Sequence, residues 1–212
     1  MRAGFDLATE AFGTPRILVN NALYNLLSPI VRLPVDEWQR VFDVIARGTL
    51  IGTREFGRRF MENDLTGGAI VNISTLNFSI ATRGLAAYCS SKAAVSQFTK
   101  VAALEYAPLG IRVNAIAPGL IDTPLARRFL GDQPEVAQAF VDMAPLDRIG
   151  TTADQARVVV FLASEASSWI TGVTLNVDGG MHLKGVPDNW EIMKGPLGME
   201  EPTPAEWLGG RQ

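Results

Sequence analysis

Four short runs of this chain are apolar without polar alternation, and that pattern leaves little choice of architecture. Near residues 16–20, 68–74, 111–116 and 173–177 the sequence reads Arg-Ile-Leu-Val-Asn, Gly-Ala-Ile-Val-Asn-Ile-Ser, Ile-Arg-Val-Asn-Ala-Ile and Val-Thr-Leu-Asn-Val. A strand with one wet face alternates apolar and polar residues, whereas a strand covered on both faces does not. Longer amphipathic stretches separate the runs, so they predict an α/β fold: a parallel sheet of about four strands in a doubly wound arrangement, with helices on its faces.

Those helices are legible too. Asp36 and Glu37 place negative charge on a first turn before Trp38, and helical spacing continues through Phe42, Ile45, Leu50, Phe56 and Phe60 to Met61. That spacing predicts one long helix over 36–61. A second starts near Ala86 and runs to Ala107, stopped by Pro108 and Gly110. Thr152 caps a third, with Ala156, Val159, Val160 and Leu162 as its buried stripe. Between Pro118 and Gly150 the pattern loosens, around Thr123, Pro124, Leu125, Phe129 and Phe140.

On the second helix Tyr88 and Lys92 stand four residues apart, which puts both side chains on one face. A phenol ordinarily titrates near pH 10, and an ammonium within a few ångströms favours the phenolate, so the pair reads as a tunable acid. Thr75 ends the second apolar run, where a hydroxyl leaves a strand for a loop. Its neighbour Ser74 is expected to point the other way on an extended backbone.

Together with Ile17-Leu18-Val19-Asn20-Asn21-Ala22, Ile111-Arg112-Val113-Asn114-Ala115-Ile116-Ala117-Pro118-Gly119 and Ile170-Thr171-Gly172-Val173-Thr174-Leu175-Asn176-Val177-Asp178-Gly179-Gly180, this pair closely resembles the short-chain dehydrogenase/reductase family. The resemblance runs from about Thr14 to Leu183 with the segments in the family's order. It implies a partial Rossmann-like domain over 1–183 and an NAD or NADP cofactor. It also implies the interconversion of a small secondary alcohol and a ketone. Tyr88 would exchange the proton with the substrate oxygen, Thr75 would polarise that oxygen, and Lys92 would depress the Tyr88 pKa and bind the nicotinamide ribose. Asn20, Asn21 and Ala22 would lie at the cofactor, with Pro118, Gly119 and Thr123 beside the carboxamide. The segment 118–150 would close over substrate.

Composition fits this reading and excludes others. The chain has 212 residues and a net charge of −3, so neither nucleic acid nor a membrane surface is an expected partner. No run of about 18 apolar residues could cross a bilayer, and the amino terminus lacks a secretory pattern, so a cytoplasmic address is expected. The single Cys89 and single His182 cannot assemble an ordinary nitrogen and sulfur metal site.

Departures from the family pattern are equally specific. The family's Thr-Gly-x-x-x-Gly-x-Gly phosphate loop has no match; Gly48 and Gly52 do not follow a strand and read as helix-packing residues. Met1–Gly13 reads as the end of the helix before the family's fourth strand, so the Ile17–Val19 strand is expected at an open edge that invites association. Thr75 stands for the family's serine, and Ile45 for a helix asparagine that holds a proton-relay water. Leu23 replaces a glycine near the ribose, where a side chain would obstruct. Ile45 predicts a drier Lys92 with a lowered pKa.

After Leu183 the tail, 184–212, carries Pro187, Pro196, Pro202 and Pro204 with five glycines, against continuous helix or sheet. Trp190 and Trp207 are unusual in a disordered segment, so a tail packed on its own or a neighbouring subunit and a loose one are equally open. The resemblance further implies a homodimer or homotetramer formed through the helices near 36–61 and 86–108 and the last strand. The rival reading is an impaired relative that serves as a structural or interaction partner.

Overall fold

The computed structural model describes residues 2–130, 134–188, 190, 194–195, 198–203 and 206; Trp207 and the Phe129 side chain lie outside the described residues. Helix α1 (Arg2–Phe12) leads into β1 (Ile17–Asn20). Then come α2 (Val35–Phe42), α3 (Gly48–Glu62), β2 (Gly68–Ile73), α4 (Ala86–Tyr106) and β3 (Ile111–Pro118). Helices α5 (Pro124–Leu130), α6 (Pro134–Met143) and α7 (Thr152–Ala163), strand β4 (Thr174–Val177) and α8 (Met181–Lys184) complete the order.

The four strands form one parallel sheet in the order β1-β2-β3-β4, with Leu18 opposite Ile70, Ile70 opposite Val113 and Ala115 opposite Thr174. Alternation through the pleat assigns the two faces. Ile70, Ile111 and Val113 pack with Phe56 and Phe60 of α3 and Ala102 and Ala103 of α4. Val71 and Ile116 turn to the other face and meet Leu162 of α7. The central strands are sealed, Ile70, Val71 and Val113 being 0 % exposed, whereas Ile17 on β1 is 53 % exposed. Among the described residues β1 pairs with β2 alone, so its outer edge carries unpaired backbone groups.

Three local features differ from the expected pattern. The helix expected over 36–61 is broken by a π-turn at Asp43–Arg47. The residues buried across it, Val41, Ile45 and Thr49, stand four apart, a spacing that an ordinary α-helical face also gives. The Thr49 hydroxyl donates to the Ile45 carbonyl at 2.7 Å inside the disturbed ladder. The cap of α7 is Thr151, not Thr152: its hydroxyl accepts from the Asp154 N–H, and the Asp154 carboxylate accepts from the Thr151 N–H. Of the predicted stripe only Leu162 is buried, while Ala156 and Val160 face outward, Val160 at 67 % exposure. The loose segment 118–150 holds two helices, each opening on proline, a residue whose fixed φ suits a first turn. The Thr123 hydroxyl accepts from the Ala126 N–H at the start of α5.

Candidate active site

The predicted catalytic residues gather where β2 and β3 end and α4 begins. Thr75 lies two residues beyond β2 in extended conformation (φ −168°, ψ 158°) and caps the short turn Leu76–Phe78. Its hydroxyl reaches Asn77 Oδ1 and the Pro118 carbonyl, both at 3.5 Å, and it is near enough to the Tyr88 phenol to act on its pKa. Ser74 turns away into α4, with its hydroxyl 2.8 Å from that of Ser96. The pleat thus selects Thr75 over Ser74, as its alternation requires.

Lys92 sits one helical turn beyond Tyr88 and is 3 % exposed. Its ammonium donates to the Ile73 carbonyl at 2.5 Å and lies 5.9 Å from the centroid of the Tyr88 ring. An ammonium carries three donors, and among the described residues Ile73 is its one hydrogen-bond acceptor.

Burial governs both titrations. Desolvation pushes Lys92 down to about 8 from its ordinary 10.5. Ile45, 2 % exposed, offers no polar group in the cluster with Val41, Ala87 and Val95 against which Tyr88 packs. Tyr88 departs from expectation: its pKa is raised above 10.0, because desolvation by burial outweighs the lowering influence of the neighbouring Thr75 hydroxyl. Proximity to Lys92 was expected to win. The ammonium is directed at Ile73 instead, and the phenol loses more from desolvation than it gains from its neighbours.

The other predicted positions divide. Pro118 reaches Thr75, and Gly119 follows where a Cβ would stand 2.7 Å from Met181 Sδ and 3.2 Å from Asp178 Cα, so the loop leaving β3 can approach the end of β4 only as glycine. Asn20 is turned into the sheet: its side-chain amide donates to Asn72 Oδ1 at 2.9 Å and to Thr53 Oγ1 at 3.3 Å. Asn72 in turn donates to Thr99 on α4, forming a buried polar ladder that ties β1, β2 and α4 together. Asn21, Ala22 and Leu23 stand exposed beyond β1, with Leu23 at 40 % exposure.

Asn77 is a participant that sequence reasoning missed. Its backbone N–H donates to the Thr75 hydroxyl at 3.4 Å, and its amide donates to the Ile80 carbonyl and the Thr82 hydroxyl. It therefore ties the Thr75 turn to the loop that leads into Tyr88. A Thr-x-Asn triplet leaving a strand is a turn signal that could have exposed it.

The geometry offers a phenol for proton exchange, a hydroxyl beside it and a buried ammonium one turn away. A family model described as enoyl-(acyl carrier protein) reductase matches residues 1–182. The chain is 42 % identical over 179 residues to 3beta-hydroxysteroid dehydrogenase 1 of Eggerthella lenta, covering 84 % of this chain and 68 % of that protein. A short-chain type dehydrogenase/reductase from Mycobacterium ulcerans superposes with a TM-score of 0.84 at 31 % identity, over 91 % of this chain and 70 % of that one. A gluconate 5-dehydrogenase from Burkholderia cenocepacia, solved with NADP and tartrate, gives a TM-score of 0.79 at 30 % identity over 85 % and 69 % of the two chains.

Proposed function

This chain belongs to the short-chain dehydrogenase/reductase family, and from that premise we propose that it interconverts a small secondary alcohol and a ketone with NAD or NADP. The observation that carries the reading is the grouping of Thr75, Tyr88 and Lys92, with two unused donor directions on a buried ammonium. Lys92 would hold the ribose hydroxyls, and the Pro118-Gly119 turn with Thr123 would flank the nicotinamide. The nicotinamide supplies the two-electron hydride acceptor or donor. The residues of this chain manage the oxygen. In oxidation Tyr88, as phenolate, removes the hydroxyl proton, while Thr75 donates a hydrogen bond to the oxygen as it becomes a carbonyl. In reduction the Tyr88 phenol returns the proton.

Tyr88→Phe tests the assignment directly. It removes the proton-carrying oxygen and leaves the ring, so turnover should vanish while the folded spectrum persists. Undiminished turnover in this variant would remove Tyr88 from the mechanism.

A second reading has its own support. Leu23 stands exposed where the family keeps glycine, and Ile45 is buried where it keeps asparagine, which favours a catalytically impaired member acting as an interaction partner. A nicotinamide fluorescence titration separates the two: saturation at micromolar dinucleotide supports the enzyme, and no binding at millimolar supports the partner.

Either role suits an assembled state. Leu50 of α3 and Val101 and Leu104 of α4 are 46 %, 42 % and 78 % exposed, an apolar surface on the two helices expected at the interface. A homodimer or homotetramer covers it. Sedimentation showing monomer alone at micromolar concentration would refute that assembly. No helix among the described residues is long and apolar enough to cross a membrane.

A further inference from the structure

Beyond α8 the chain runs over the two loops that flank the candidate site, and it does so through a buried aromatic ring and a set of ion pairs. Trp190 is 2 % exposed, and its indole N–H donates to the Glu201 carboxylate at 2.7 Å. A Cβ built on Gly84 would stand 3.6 Å from the Trp190 ring and 2.5 Å from Leu27 Cδ1, so ring and leucine close on the glycine together. Gly84, at φ +78°, accepts from the Ser28 N–H at 2.8 Å through its carbonyl, and Ser28 bridges to Leu85. The loop after β1 and the loop before α4 thus meet at one point beneath Trp190.

Both loops lead to the reacting groups. Gly84 precedes Tyr88 by four residues on the way into α4, and Leu27 packs in the cluster that holds Leu76, the neighbour of Thr75. Each loop also carries one arginine that the tail engages. Arg83 pairs with Asp188 at 2.8 Å and with Glu201 at 3.1 Å. Arg32 donates to Glu206 through the Nε and Nη2 edge of its guanidinium, at 2.9 and 2.8 Å, and through Nη1 to the Glu200 carbonyl at 2.9 Å. Glu201 therefore links the indole and Arg83 at once, joining ring and charges in one network.

We propose that the described tail residues Asp188, Trp190, Glu200, Glu201 and Glu206 act as a charge-latched strap that holds these two loops together, with Trp190 as its pin. It thereby sets the alignment of Tyr88 with Thr75 and the size of alcohol or ketone admitted between them. Trp190 is a positioning residue: it works through Gly84 and Leu27. The latch is exposed, Arg83 at 51 % and Glu201 at 45 %, so salt screens it, the screening length falling to about 3 Å at 1 M. The part of the proposal that concerns substrate size rests on the oxidoreductase reading; the part that concerns the loops does not.

The test compares the full chain with Arg32→Gln/Arg83→Gln, Trp190→Phe and Trp190→Ala. Hydrogen–deuterium exchange is followed in residues 26–33 and 80–91, with β2 and β3 as the control for an intact fold. The double arginine variant and Trp190→Ala should exchange severalfold faster in both loops at unchanged β2 and β3 protection, and Trp190→Phe should restore most of the protection. Faster proteolysis of the tail with both loops at the wild-type rate would overturn the strap. Should either variant fail to fold, the wild-type chain in about 1 M NaCl gives the same decision: accelerated loops support the latch and unchanged loops reject it. In parallel, oxidation of cyclopentanol and of a fused-ring secondary alcohol is measured with NAD and NADP. Release of the strap should raise KM for cyclopentanol more than it lowers kcat, and should narrow the preference between the two alcohols. A preference unmoved by strap release overturns the selectivity role. Absence of turnover in the wild type as well would strike the oxidoreductase reading and leave the exchange result to decide the strap.

Discussion

Replacing Lys92 by methionine should make this protein more stable while destroying its proposed chemistry. The folded chain holds the Lys92 pKa at about 8 against an ordinary 10.5, and each tenfold change in acidity corresponds to about 1.4 kcal/mol, so the buried charge costs the fold about 3 kcal/mol at neutral pH. Methionine has nearly the same volume and no charge. It forfeits the charge-assisted hydrogen bond to the Ile73 carbonyl, a loss of about 2 kcal/mol. The net gain of about 1 kcal/mol corresponds to a Tm increase of about 2–4 °C for a chain of this size. The sign with pH follows from proton counting. Between the folded and unfolded pKa values the unfolded chain binds more protons, so wild-type stability rises from about pH 8 towards 10.5. Below that window the full penalty is present. The advantage of Lys92→Met over wild type should therefore fall by about 2 kcal/mol, and so reverse, between pH 7 and pH 9.5. Thermal unfolding followed by circular dichroism at these two pH values measures both terms. A methionine variant that melts no higher than wild type at pH 7, or whose advantage does not change with pH, would show that burial of this ammonium carries no such cost.

Three further outcomes test the site. With the Tyr88 pKa raised above 10.0, alcohol oxidation needs a phenolate that becomes more abundant with every step in pH. Its kcat/KM should climb about tenfold per pH unit from 7 to 10 while ketone reduction stays flat; a plateau near neutrality would mean that Lys92 controls the phenol after all. Thr75→Ser keeps the hydroxyl and should keep turnover within about threefold, whereas Thr75→Ala should lower kcat by about a hundredfold, the usual loss on removing one donor to a developing oxyanion. Leu23→Gly removes an exposed side chain beside the end of β1 and should tighten dinucleotide binding in a fluorescence titration; weaker binding would contradict the view that Leu23 obstructs.

What could be read beforehand depended on how local the cause was. The runs around Ile70 and Val113 announce their strands because two-sided burial leaves no polar alternation. Those around Leu18 and Leu175 read the same way although the outer strands are not covered on both faces, Val19 being 41 % and Leu175 42 % exposed. All four strands fall within two residues of their expected bounds. The spacing of Tyr88 and Lys92 needs only helical geometry to bring them to one face. The π-turn at Asp43–Arg47 stayed hidden because Val41, Ile45 and Thr49, buried across it, keep the i, i+4 spacing of an ordinary helix. The outward face of α7 was misread because Val160 has the composition of a core residue at 67 % exposure. The ladder from Asn20 through Asn72 to Thr99 joins residues far apart in the chain, and its existence depends on strand order. The direction of the Tyr88 shift likewise required knowing where the Lys92 ammonium points.

The one-sided pairing of β1 has a consequence for how the molecule fails. Local opening begins where backbone hydrogen bonds are fewest and side chains are wettest, which here is the flank that carries Asn20 to Leu23. Thr75, Tyr88 and Lys92 hang from β2 and α4, one strand further in. Under heat or denaturant the β1 margin should therefore unravel while Thr75, Tyr88 and Lys92 are still assembled, so that the proposed hold on a dinucleotide would fade at milder stress than the arrangement of the acid itself.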